Sequence, residues 1–183
     1  MIMKSEHFST FKRRALHTTL ASALVLGMAG HGINSQAATT SNDATATVVA
    51  PIAIAAGTTL RFGSFSTSAA AQTVTINATS GARTNSGTLL VTSTVGRATF
   101  NVTGEGTLTY AITLPTNGTV NITTGAASAP ETMAVSNFTS DPSGTGALTA
   151  GAQTLGVGAT ITTVGSQVAG SYTGSFNVSV DYN

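Results

Sequence analysis

Side chains able to do chemistry are scarce in this 183-residue chain: seven Lys or Arg, six Asp or Glu and three His, with no Cys and no Trp. Their placement narrows the choice further. His7, His17, His31, Lys4 and Lys12 all fall within the first 37 residues. Beyond them, Arg61, Arg83 and Arg97 face Asp43, Glu105, Glu131, Asp141 and Asp181. General acid–base catalysis needs a positioned side chain with a suitable pKa, and covalent catalysis needs an activated nucleophile. Glu105, between Gly104 and Gly106, reads instead as a carboxylate in a solvated hairpin turn. Asp141, before Pro142, is one oxygen ligand where a hard cation wants several. After residue 37 there is no imidazole base, thiol or lysine, so no catalytic residue, no metal site and no cofactor is expected. Without Lys, Gly156-Val157-Gly158 reads as a turn rather than a nucleotide cradle. Three scattered arginines make no nucleic-acid footprint. The Asn-X-Ser/Thr triplets at Asn77, Asn101, Asn117, Asn121, Asn137 and Asn177 arise by chance in a Thr-rich chain and carry no argument.

The first 37 residues have the plan of an export signal. Lys12-Arg13-Arg14 precede an apolar stretch over 20–29, and Ser35-Gln36-Ala37 offers small residues for cleavage after Ala37. The stretch is shorter than the ~20 residues that a membrane-spanning helix needs. The expectation is a signal peptide over 1–37 and one domain over 38–183, with three arginines against five carboxylates and no membrane span. Such a chain is expected to be exported, to a cell surface or the medium. Without disulfides, its stability rests on an apolar core.

The elements that must build that core read as strands. β-Formers recur in short runs at 44–55, 59–65, 73–77, 88–93, 98–103, 108–114, 120–123, 133–139, 153–164 and 171–182. Turn formers separate them: Thr116-Asn117-Gly118, Ser128-Ala129-Pro130 and Asp141-Pro142-Ser143-Gly144. No stretch after residue 40 has a helical period with caps. This pattern predicts an all-β, antiparallel sandwich or barrel. Tyr110, Tyr172, Tyr182 and the phenylalanines fall on apolar faces and are expected to pack in the core. The wet faces carry Thr and Ser, which suit a strand but protect an edge poorly.

Both ends carry long alternation. Tyr172, Phe176, Val178, Val180 and Tyr182 share one parity, against Thr173, Ser175, Asn177, Ser179 and Asp181 on the other. Near the start, Ala44, Ala46, Val48, Ala50, Ile52 and Ile54 share a parity, with Pro51 opposite. Proline is confined to edges and bulges, so this strand is an edge or bends at Pro51. It either closes its own sandwich or leaves to complete a neighbour's.

The chain end resembles that of chaperone–usher pilins of the archaic, spore-coat-U-like branch. A Gly fourteen residues from the end and a next-to-last Tyr are matched by Gly170 and Tyr182. Val49-Ala50-Pro51-Ile52-Ala53-Ile54 and Leu60-Arg61-Phe62-Gly63 are similar to that branch's first strand. Gly81-Ala82-Arg83, Ala98-Thr99-Phe100-Asn101-Val102-Thr103-Gly104 and Thr132-Met133-Ala134-Val135 resemble DUF4402, a bacterial family of unknown function. The pilin resemblance implies an antiparallel, immunoglobulin-like or pilin-like β-sandwich lacking one strand, and a fibre subunit assembled by donor-strand complementation. It implies that Gly170, Tyr172, Phe176, Val178, Val180 and Tyr182 form the strand facing a periplasmic chaperone and neighbouring subunits. Val48, Ala50, Ile52 and Ile54 would then be the donor face of an extension over 38–55, placed with the help of an outer-membrane usher. The alternative is a self-contained, secreted or outer-surface β-sandwich that binds a ligand.

Overall fold

The computed structural model describes residues 36–87, 90–125 and 131–183. Residues 1–35 of the expected signal, the start of the 88–93 run and the turn at Ser128-Ala129-Pro130 lie outside them. The chain divides into two units, Met1–Thr45 and Ala46–Asn183. Of the first, the described residues 36–45 are exposed and carry no helix or strand.

The second unit is an antiparallel β-sandwich with no helix among its described residues. Its strands are β1 (Ala53–Ala56), β2 (Gln72–Ile76), β3 (Arg83–Asn85), β4 (Ala98–Thr103) and β5 (Thr109–Thr113). They continue with β6 (Val120–Thr123), β7 (Thr132–Asp141), β8 (Thr145–Ala147), β9 (Ala152–Thr163) and β10 (Ser179–Tyr182). The first sheet is built on β9, whose twelve residues pair with β4 and then β2 along one edge and with β7 along the other. β1 extends it beyond β4, β3 beyond β2 and β6 beyond β7. The second sheet has the order β10-β5-β8.

β9 is buried along nearly its whole length, and Leu155, Val157, Ala159 and Ile161 supply its apolar face. Two clusters result. Val102, Tyr110, Leu148, Leu155, Val157 and Val180 form one. Val74, Val120, Met133, Val135 and Ile161 belong to the other. The glycines expected to turn at 156–158 instead lie inside β9. Added Cβ atoms would strike the carbonyl oxygens of Ala78, 2.6 Å from Gly156, and of Ile76 beside Gly158. Glycine here serves close approach of another backbone.

Tyr110 is 0 % exposed, and its hydroxyl donates to Gln153 Oε1 at 2.7 Å. Burial pushes this hydroxyl above its ordinary range. The folded state thus holds the phenolic proton more tightly than the unfolded chain does. That stability contribution is complete below the unfolded pKa of ~10 and declines as pH rises past it. Denaturation midpoints should fall above that pH in the wild type and fall less steeply in Tyr110→Phe; identical pH profiles would refute this.

Two expected strands are shorter than their alternation. Near the start only β1 joins a ladder, beginning two residues after Pro51. At the end, 171–182 keeps its parity: Tyr172, Phe176, Val178, Val180 and Tyr182 turn inward while the intervening side chains are exposed. Yet only β10 pairs with β5, apart from one bridge between Thr123 and Thr173. The 59–65 run likewise contributes bridges, Arg61 to Gly96 and Phe65 to Leu90, rather than a ladder. β3 and β8, three residues each, have no counterpart among the expected runs.

Candidate functional site: an open groove and a clasped N-terminal segment

The shortened ladders border a cavity of about 790 Å³. One wall is residues 59–67 and the other is residues 167–176. Val120, Ile122, Met133, Val135 and Ile161 floor it, while Leu60, Phe62, Phe65, Tyr172 and Phe176 line its sides.

Each wall is held from its far side. Arg61 and Gly96 exchange main-chain hydrogen bonds at 2.8 and 3.0 Å. Arg83 fixes the next turn of the first wall. Its guanidinium donates to the carbonyl oxygens of Phe62 at 2.9 Å, Ser64 at 3.0 Å and Val91 at 2.9 Å. Gly63 has a φ of +73°, and a Cβ there would come 2.6 Å from Arg83 Nη1. This accounts for glycine after Leu60-Arg61-Phe62. Across the groove, Thr173 exchanges two 2.8 Å bonds with Thr123. Gly174 sits so close to β6 that a Cβ would lie 2.6 Å from the Asn121 carbonyl oxygen.

With Thr173 facing β6, the N–H and C=O of Tyr172 and Gly174 point to the opposite edge, where the groove lies. Among the described residues, the main chain of 174–178 and the N–H groups of Leu60 and Phe62 make no hydrogen bond within the chain. The walls meet only at one end, where Thr67 Oγ1 donates to the Gln167 carbonyl at 3.2 Å and Ser166 N to the Ser68 carbonyl at 2.8 Å. Gln167, 7 % exposed, closes that end by bonding Val164 N and the Tyr172 hydroxyl. The groove thus has an apolar floor between two extended segments with unpaired main-chain groups.

The six residues expected on the C-terminal strand divide between two places. Gly170, Tyr172 and Phe176 line the groove. Val178, Val180 and Tyr182 pack on the first cluster. Phe176 joins the two clusters, meeting Phe100 edge-on at 6.2 Å between ring centroids and Phe138 at 5.1 Å.

The four residues expected on the donor face also divide. Ile52 and Ile54 are half-buried against the first cluster of their own chain. Val48 is 95 % exposed. Ala50 stands between them, and both its main-chain groups are taken. Its N–H donates to Glu105 Oε2 at 3.1 Å, and its carbonyl accepts from the Tyr182 hydroxyl at 2.9 Å. The same hydroxyl accepts from Glu105 N at 2.6 Å. A side chain on Gly104 would collide with it. Glu105 thus does occupy a turn, but its carboxylate grips a segment 55 residues away, which the local sequence does not announce.

Arg97 and Asp141 brace the fold. Arg97 donates to the carbonyls of Ala78 at 2.7 Å and Thr79 at 2.6 Å and lies 3.7 Å from Asp141. Among the described residues, no three His, Cys, Asp or Glu side chains gather in one place. No described helix is long and apolar enough to cross a membrane.

These features define an all-β sandwich with an open strand groove and a clasped N-terminal segment. Residues 52–182 match the family described as a domain of unknown function (DUF4402), and the chain belongs to that family. Comparison with curated proteins and with solved structures gives no match.

Proposed function

We propose that this chain is a non-catalytic structural subunit of a surface fibre, exported through its N-terminal signal and assembled by donor-strand complementation. The observation that carries the reading is the groove between 59–67 and 167–176, with its apolar floor and unpaired main chain. An incoming strand would complete the ladder and cover the floor. Each large aliphatic side chain buried there contributes ~1.5–3 kcal/mol, and each ladder bond a net ~0.5–1.5 kcal/mol. The exposed segment ahead of Ala50, with Val48 and Val49 uncovered, is the donor. A periplasmic chaperone would protect the groove before assembly, and an outer-membrane usher would exchange its strand for a subunit's.

A second reading has its own support. β1 pairs with β4, and Ile52 and Ile54 pack on their own core, as in a self-contained binding domain. Electrophoresis of residues 38–183 in denaturing buffer, unboiled and boiled, separates the two. Strand exchange gives a ladder of multimers that collapses on boiling. A single monomer band in both lanes, with reversible two-state unfolding, would sink the fibre reading in favour of the second.

A further inference from the structure

We propose that Arg61 selects among the strands that enter the groove, favouring a polypeptide segment that carries an Asp or Glu on its solvent-facing side opposite Arg61. The inference rests on the strand-groove reading and adds a determinant of which strands are accepted.

Without Arg61 the groove would discriminate little. Main-chain hydrogen bonds give affinity without reading sequence, and an apolar floor accepts any alternating strand. Among the described residues that line the groove, Arg61 alone is charged. It is also the arginine after residue 37 that the fold does not use. Arg83 gives its guanidinium to three carbonyls, and Arg97 to two carbonyls and Asp141. Arg61 is exposed, and among the described residues its guanidinium has no hydrogen-bond or ionic partner.

The backbone beneath that free charge is fixed. The N–H and C=O of Arg61 both bond Gly96. Leu60 and Phe62, on either side, are half-buried and pack on the floor cluster, so Arg61 has the outward parity of the wall. The result is a cation held in register at the rim. Across a β-ladder, side chains on one face stand ~4.5–5.5 Å apart when directly opposite and ~7–8 Å apart on the diagonal, within reach of a long side chain. A carboxylate on the outward face of an incoming strand therefore meets Arg61, whose planar fork matches it with two parallel hydrogen bonds. A Lys at the same place meets like charge. Asp181, further along the segment of the second wall, lies in β10 outside the groove lining. A charge pair at such a rim governs partner choice and register more than affinity.

The test is a competition between synthetic strands. Twelve-residue peptides alternate Val with Thr, and one Thr, at each position in turn, is replaced by Asp, Asn or Lys. Residues 38–183 are unfolded and refolded in an excess of an equimolar mixture, and the retained peptides are counted by mass spectrometry. At one position, the Asp peptide should be enriched about two- to fivefold over the Asn peptide and the Lys peptide depleted. The preference should shrink between ~50 mM and ~500 mM salt. Arg61→Gln should abolish it and Arg61→Glu should invert it. Both variants keep the main-chain bonds to Gly96; were Arg61→Glu to misfold, Arg61→Gln decides alone. Peptides retained without a preference, or with one that survives Arg61→Gln, overturn the inference and leave the groove reading standing. Folded protein that retains no peptide sinks both.

Discussion

Deleting residues 38–49 abolishes the heat-sensitive multimer ladder and leaves the fold intact. The two effects separate because this segment contributes almost nothing to its own domain. Residues 38–49 are exposed, and among the described residues 46–49 make no hydrogen bond with their own unit. Changes away from the core typically stay within ~0.5 kcal/mol, so the melting temperature should move by no more than ~2 °C for a domain of this size. Assembly, by contrast, loses the donor proposed for it. A synthetic peptide of residues 38–49 added to the truncated chain should restore the occupied groove. At a hundredfold excess over its dissociation constant it would stabilise the domain by ~2.7 kcal/mol. A truncated chain that still forms the ladder, or a peptide that leaves the melting temperature unchanged, refutes the arm as donor. A large loss of stability on truncation would show instead that the arm closes its own sandwich.

That separation between arm and domain was only half legible in the sequence. Alternation runs unbroken from Ala44 to Ile54, yet Ala50 divides it: Ile52 and Ile54 pack at home, while Val48 is left in solvent. Parity tells which face of a strand is apolar but not which strand lies beside it. The same limit holds at the other end. Inward and outward positions of 172–182 follow the sequence pattern, whereas the main-chain partner is missing over 174–178. Where a strand lacks a neighbour, its own residues look no different. The strands that escaped notice are short and shaped by distant contacts. β3 carries Arg83, whose guanidinium goes to the carbonyls of Phe62 and Ser64 on the groove wall and to that of Val91. β8 places Gly146 opposite the buried Tyr110 ring, where a Cβ does not fit. The clasp was the least legible feature. Its hydrogen bonds join residues 55, 77 and 132 positions apart, and no local pattern encodes such a meeting.

Val180→Asp should be the most damaging single substitution in the C-terminal segment, costing about 3–5 kcal/mol, because it buries a carboxylate with no partner. Val180 is 8 % exposed, lies opposite Ile112 in the β10–β5 ladder and packs in the cluster with Tyr110, Leu148 and Leu155. Two of the arginines after residue 37 are already engaged, Arg83 by three carbonyls and Arg97 by two carbonyls and Asp141. The third, Arg61, lies on the groove wall. Ser179→Asp is the matched control: the same charge, one residue away, on the exposed parity of the same strand. It should change stability by ~0.5 kcal/mol or less. The gap between the variants has a definite pH dependence. Burial raises the introduced carboxyl above its unfolded pKa of ~3.9, so the folded state binds the proton more tightly. The penalty is therefore smallest below that pH and grows as pH rises through the folded pKa. Urea midpoints at pH 4 and pH 7 measure it. The two variants should lie closer together at pH 4 and separate at pH 7, where Val180→Asp also loses assembly. Equal midpoints at both pH values would mean that β10 does not present residue 180 to the core. The parity argument would then fail for segment 171–182, which carries the Tyr182 clasp and part of one wall of the groove.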